Sequence, residues 1–268
     1  MTVPMDSSLL TAFAVTLAAG LATLLGWLVV IRGNTANPRL LAFGLAFAAG
    51  AMIYVSLVEI FVKSQKSLEA WFNVESQSSY GLATLMLFLG MGLVIALDRF
   101  VPNPHGNLDQ SEPVTGANPA LARAGLLAAA AITMHNIPEG LATFFSTLDD
   151  PSVGSSLAVA IAIHNIPEGV TVALPIFYAT GSKFQALIWT LVSALAEPLG
   201  ALLGWVLLGP YLNDLVYGLV FGLIAGAMVF LSLDELLPTA KRYAKGHETV
   251  YGMMVGMALL AGSLVLFK

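Results

Sequence analysis

Eight runs of about twenty or more apolar residues, joined by short polar connections, fill nearly all of this 268-residue chain. They lie near Ser8–Ile31, Leu40–Val62, Tyr80–Val101, Leu121–Thr147, Val153–Ala179, Phe184–Leu208, Leu215–Leu237 and Thr249–Phe267. Each is long enough to cross about 30 Å of hydrocarbon, and in lipid a spanning segment must satisfy its own backbone, as a helix does. The expectation is an all-α, polytopic membrane protein with eight transmembrane helices in one domain over residues 1–268. Charged residues are only 10% of the chain and mean hydropathy is +0.84; a soluble domain carries about 25% charged residues, so a soluble fold is excluded. The start, MTVPMDSS, has no basic n-region and the first run no A-x-A cleavage site, so the first helix is expected to be retained.

With an even number of spans both termini share a side, and the basic residues divide unequally between the two sides. Arg32, Arg39, Arg99, Arg123, Lys183, Lys241, Arg242 and Lys245 fall opposite the termini, against Lys63, Lys66 and Lys268 with them. The positive-inside rule then puts both termini outside the cytoplasm. That outer side also carries Asp6, Glu69, Glu75, Asp149, Asp150 and Asp214, a weak attraction for cations. The Pro-rich segment 102–119 reads as a flexible cytoplasmic loop between the third and fourth helices. A net charge of -5 offers no basic patch for nucleic acid, so the macroscopic partner is the lipid bilayer. With no cysteine, any metal must be held by histidine, carboxylate, amide or methionine.

Within these apolar runs one hexapeptide occurs twice: His135-Asn136-Ile137-Pro138-Glu139-Gly140 in the fourth and His164-Asn165-Ile166-Pro167-Glu168-Gly169 in the fifth. One span plus one short loop separates the copies, so they cross the bilayer in opposite directions. A second echo links GAMIYVSLVE, from Gly50, with GAMVFLSLDE, from Gly226. Inverted repeats with polar, proline-bearing helices at their centre mark secondary transporters whose site lies near the midplane.

In each copy the histidine and glutamate are four residues apart, one turn apart on one helix face, and two such faces can converge on a metal ion. The asparagine beside the histidine is rotated by about 100° and can offer its amide oxygen to an adjacent site that shares the glutamate. Proline frees the carbonyls of Met134 and Ile163, tolerable at membrane depth only in a protein interior or wet cavity. Glu197, in Ala-Glu-Pro-Leu-Gly of the sixth run, is a third acid beside a proline and is assigned to the same constellation. Three carboxylates at helix centres cost about 8 to 10 kcal/mol together, so cations or protons must compensate them. Nitrogen and oxygen donors without thiolate suit Zn²⁺, Fe²⁺, Mn²⁺ and Co²⁺ better than Cu⁺. Glu59, Asp234 and Glu235 lie near run ends, where acids can reach the interface; Met52 and Met228 read as core packing, and His105 and His247 as solvated residues.

At these residues the sequence resembles the ZIP (Zrt-, Irt-like protein) family of divalent metal transporters, and within it the bacterial zinc-transporting members. The two hexapeptides, AEPLGA in the sixth run, SLxE in the second, SLDELLP in the seventh and ATGSK between the fifth and sixth carry the likeness, which covers essentially the whole chain. It implies a ZIP-type fold in a bacterial inner membrane, extracytoplasmic termini, and uptake of zinc, with iron, manganese, cobalt and cadmium as further cargo. It implies a binuclear centre between the fourth, fifth and sixth helices. Glu139, His164 and Glu168 match the family's zinc-preferring position, with His135 a further ligand. Asn136, Glu139, Asn165, Glu168 and Glu197 match the adjacent position, Glu139 and Glu168 bridging. A departure is EIFVK after Glu59, where relatives have Leu-Pro after an acid or histidine.

The mechanism expected is alternating access, the fourth and fifth helices moving against the rest, with no prosthetic group and no enzymatic activity. An intramembrane metallohydrolase or di-metal oxidase is the first rival; HNIPEG lacks H-E-x-x-H spacing, and a di-iron bundle uses Glu-x-x-His pairs. A proton or alkali-cation carrier is the second, and gives the asparagines and histidines no purpose. The glycine-rich faces suit packing within one chain or in a homodimer.

Overall fold

The computed structural model describes residues 7–33, 38–73, 77–98 and 119–267, and among them every regular element is helical. Eight long helices follow the order of the apolar runs. Helix α1 runs over Ser7–Leu21 and resumes as Thr23–Arg32; α2 comprises Pro38–Val55, a π turn Ser56–Ile60, and Phe61–Phe72. Then come α3 (Gln77–Asp98), α4 (Pro119–Asp149), α5 (Pro151–Thr180) and α6 (Lys183–Leu208). Helix α7 comprises Asp214–Leu231, a π turn Ser232–Leu236, and Leu237–Tyr243, and α8 is Glu248–Phe267. Among the described residues, all but α4 are apolar and long enough to cross a membrane. The 31-residue α4 carries the polar hexapeptide past its middle and packs against α5 and α6. The predicted loop 102–119 lies outside the described residues except for Pro119.

Local chemistry sets the tight turns. Asp150 caps α5, its carboxylate accepting from the amides of Ser152 and Val153, with Pro151 at the first helical position. Gly181, at φ 68°, ends α5 in a left-handed conformation that glycine adopts without strain. The Ser182 hydroxyl and the Asn213 amide oxygen cap α6 and α7. Burial is inverted relative to a soluble protein: Leu85, Phe88 and Leu93 of α3 and Leu202, Val206 and Leu207 of α6 are exposed, whereas His, Asn and Glu side chains are buried.

Two helices outrun their apolar stretches. The second run ends at Val62 in the sequence, but α2 continues to Phe72. Ser64 donates to the Gly218 carbonyl of α7 at 2.6 Å, and Leu68 is fully buried against Gly218, so tertiary contacts hold the polar continuation. The seventh run likewise extends to Tyr243. Glu59 and Glu235, expected near run ends, therefore sit on π turns inside long helices, and Glu59 is buried. A π turn inserts one residue into the helical register and often marks a functional position.

The helices divide into two units of four. In one, α1, α4, α5 and α6 meet backbone to backbone: Gly140 of α4 lies against the Glu197 carbonyl of α6, Gly200 of α6 against Ile137, and Gly169 of α5 against the Thr23 carbonyl of α1. In the other, α2, α3, α7 and α8 do the same, with Gly50 against Met253, Gly256 against Phe47, and Gly226 against Leu87. Small residues at such seams let helix axes approach where lipid supplies no hydrophobic drive. Across the units, Gly44 of α2 faces the Pro167 ring of α5 rather than a main-chain carbonyl.

Candidate metal centre

Both hexapeptides lie inside uninterrupted helix, α4 and α5 continuing through Pro138 and Pro167. The histidine, asparagine and glutamate of each copy are buried. His135, Asn136, Glu139, His164, Asn165, Glu168 and Glu197 are each at most 2% exposed. All seven residues singled out from the sequence are thus buried on three neighbouring helices of one unit.

The contacts bind the set together. His164 Nε2 is 2.8 Å from Glu139 Oε1, joining α5 to α4. His135 Nε2 lies 3.7 Å from Glu139 Oε1 and 3.9 Å from Glu168 Oε1. One donor atom from each of His135, Glu139 and Glu168 falls within 4.8 Å of the others, a spacing that a single cation can span. Asn165 Nδ2 donates to Glu197 Oε1 at 2.5 Å and to the Ala19 carbonyl at 2.9 Å, so α5 reaches both α6 and α1. Asn136 Nδ2 donates to the Ser193 carbonyl at 2.9 Å and approaches the Ser193 hydroxyl at 3.3 Å.

The asparagines show what the centre can do. A main-chain carbonyl only accepts, so each amide must turn its nitrogen toward the carbonyl of Ser193 or Ala19. That choice leaves both amide oxygens as the free atoms. Asn136 Oδ1 and Asn165 Oδ1 are buried without a hydrogen-bond partner, as are Nδ1 of His135 and His164, Glu139 Oε2, both Glu168 oxygens and Glu197 Oε2. Buried polar atoms are almost always satisfied, because leaving one orphaned costs about 1 to 3 kcal/mol. The carboxylate and amide oxygens among these orphans, grouped with two imidazoles whose Nε2 atoms face Glu139, are lone-pair donors of the kind a cation satisfies. Three carboxylates in the same apolar interior need its charge as well.

Sequence reasoning missed one neighbour. Met52 of α2, read as core packing, is fully buried, with its sulfur 3.0 Å from His135 Nε2. The centre thus has a soft donor from the opposite four-helix unit. The signal was present in the repeat, since Met52 and Met228 hold the same register in the two GAM segments, but methionine in an apolar run looks like filler. Met228 is also fully buried.

Comparison with known proteins adds independent information. The family model described as ZIP Zinc transporter matches residues 103–264. The chain is 58% identical over 259 residues to a protein of Stenotrophomonas maltophilia named zinc transporter ZupT, covering 96% of each. A protein of the same name from Neisseria meningitidis is 55% identical over 263 residues, covering 97% of each, and one from Oceanobacillus iheyensis is 48% identical over 269 residues, covering 98% of this chain and 99% of that one.

Proposed function

The chain belongs to the ZIP family of zinc transporters, and from that premise we propose that it takes divalent metal into the cytoplasm through a binuclear site, by alternating access. It is a multi-pass transporter of divalent metal, zinc first, and not an enzyme. Zn²⁺, Fe²⁺, Mn²⁺, Co²⁺ and Cd²⁺ are the proposed cargo, which a mixed nitrogen and oxygen donor set accepts. In the first position His135, Glu139, His164 and Glu168 hold the ion. In the second, Asn136, Asn165 and Glu197 join the bridging Glu139 and Glu168. The observation that carries this reading is the group of six buried, unpartnered oxygens beside two imidazoles, two of them amide oxygens fixed by the carbonyls their nitrogens serve.

Movement is proposed for the unit of α1, α4, α5 and α6 against α2, α3, α7 and α8. Backbone seams hold each unit together while side chains separate the two, so the seam between them is the cheaper one to slide. Because Met52 belongs to the second unit, sliding withdraws its thioether from His135 and weakens the first position as the ion leaves. Weak, multiple sites favour release. Protons compete with metal for every histidine and carboxylate of the cage, so uptake should fall on acidification of the donor side. The excess of basic residues opposite the termini supports extracytoplasmic termini in a bacterial inner membrane, and exposed apolar faces leave room for a homodimer.

The test is uptake into sealed proteoliposomes holding a metal-sensitive dye, with a panel of divalent ions outside. Zinc should enter, the panel should rank the cargo, and Glu168→Ala should abolish entrance of each ion. Tight binding without flux at any pH would instead make the centre a sensor or a catalytic site.

A further inference from the structure

On the side of the termini an ion pair joins the two units above the metal centre. Lys63 Nζ of α2 lies 2.7 Å from Asp149 Oδ2, at the end of α4. The lysine side chain is only 10% exposed and the aspartate 38%. Its ammonium stands 5.5 Å from the centre of the Phe221 ring of α7, while the neighbouring Ser64 fastens α2 to the Gly218 carbonyl. Lys63 is therefore fixed in one unit and Asp149 belongs to the other. Beside the pair, Phe145 of α4 meets Tyr217 of α7 edge to face at 6.0 Å, and Tyr217 stacks on Phe221 at 5.7 Å. Ion pair and aromatic cluster thus lie together where α4 meets α2 and α7 on the termini side of the cage.

Between this pair and the cage, α4 and α2 each carry a buried serine. Ser146 follows Glu139 by two helical turns on the same side of α4 and precedes Asp149 by three residues. Ser56 lies between Met52 and Lys63 along α2. Both hydroxyls are buried without a partner, Ser146 Oγ and Ser56 Oγ alike. Buried hydroxyls left without a partner are satisfied when water reaches them.

We propose that Lys63 and Asp149 form the outer gate, and that the lysine ammonium holds at Asp149 the place an arriving divalent cation takes. The proposal rests on the transport reading given above, in which the termini side is the donor side. A dication interacts with a carboxylate twice as strongly as an ammonium at the same distance and dielectric. Once displaced, a lysine has a flexible stem that can carry its charge to the aqueous rim. The tie between the units then opens, and the ion at Asp149 has the Ser146 hydroxyl and Glu139 ahead of it along α4.

The chain contains no cysteine, so Ser146→Cys supplies a single, near-isosteric thiol in the full-length protein. In sealed proteoliposomes without zinc, a membrane-impermeant thiol reagent is added on the termini side. Lys63→Met and Asp149→Asn should each raise the labelling rate about tenfold, the effect of removing about 1.4 kcal/mol from the closed state. Lys63→Arg, and the swap of Lys63→Asp with Asp149→Lys, should label as slowly as the parent. The zinc concentration for half-maximal uptake should fall in Lys63→Met, where the competitor is gone, and rise in Asp149→Asn, where the first ligand is gone. Equal labelling of parent and neutral variants overturns the proposal. So does a fast-labelling swap, or a half-maximal concentration that moves the same way in both variants. Asp149, part exposed at a helix end, keeps the test decisive if Lys63→Met does not assemble. Zinc uptake by the parent in the same vesicles separates failure of the gate from failure of the transport reading.

Discussion

The two hexapeptides are identical in sequence and related by inversion in space, yet they do not meet the same partners. Their backbone surroundings match closely. Asn136 donates to the Ser193 carbonyl and Asn165 to that of Ala19; Gly140 abuts the Glu197 carbonyl and Gly169 that of Thr23; Gly200 faces the Ile137 carbonyl and Gly26 that of Ile166. The partners on α6 and α1 keep a constant offset throughout, so α6 stands to α4 as α1 stands to α5. The side chains break that symmetry. Where α6 offers Glu197, α1 offers Thr23, and where α6 offers the Ser193 hydroxyl, α1 offers Ala19. His164 is matched with Glu139, whereas His135 lies against the Met52 sulfur. Main-chain contacts shared by both halves therefore set the packing, and residues on α1, α2 and α6 make two positions out of one repeated motif.

The largest effects should come from the residues the two copies share. Glu139→Gln removes a carboxylate from both positions and should lower uptake of every ion by at least about 100-fold, since even residues beyond the ligand shell change metal affinity by 10- to 100-fold. Glu197→Gln removes a carboxylate from the second position only. It should leave zinc at the first position, measured by calorimetry as loss of one bound equivalent of two, and a loss of both would merge the two positions into one.

Next in size is the seam. A Cβ on Gly140 or Gly169 would overlap a main-chain carbonyl, which cannot move aside. Gly140→Ala and Gly169→Ala should each cost about 1 to 3 kcal/mol by overpacking, and by about the same amount, read as a lowered Tm in detergent. A Cβ on Gly44 meets only the Pro167 ring, at 3.0 Å. Gly44→Ala should barely move Tm but slow uptake, because it roughens the surface between the units. If Gly44→Ala unfolds the protein as readily as Gly140→Ala, the division into two units is wrong.

Most of this arrangement was legible in the chain. Hydropathy located the helices because backbone satisfaction in lipid leaves little choice, and seven polar residues in apolar runs could only point inward. Other features followed from contacts that hydropathy does not record. Lys63 counted as a polar residue beyond a span; it is held inside α2 by Asp149 and by the Phe221 ring. The π turns at Ser56–Ile60 and Ser232–Leu236 were visible only as an echo of SLVE in SLDE, and nothing in that pattern specifies an extra residue in the turn. Met52 was missed because a buried thioether and a buried leucine have the same periodicity; only the partner, His135, tells them apart.

That distinction gives the smallest prediction and the sharpest one for the asymmetry of the two copies. Met52→Leu conserves volume, so the swap should cost less than about 1.5 kcal/mol of stability, and zinc should still enter, because His135, Glu139, His164 and Glu168 remain. What changes is the softness of the first position. Thioether sulfur favours soft ions over hard ones, so competition of Cd²⁺ against Zn²⁺ should weaken by about two- to fivefold, while competition by Mn²⁺ should hold or improve. Met228→Leu provides the control from the other half of the repeat: it occupies the equivalent register but has no sulfur contact with His135 among those found. Its selectivity should match the parent's. Equal shifts in both variants would mean that the methionines act through packing alone, and that the repeat is as symmetric in its chemistry as in its backbone.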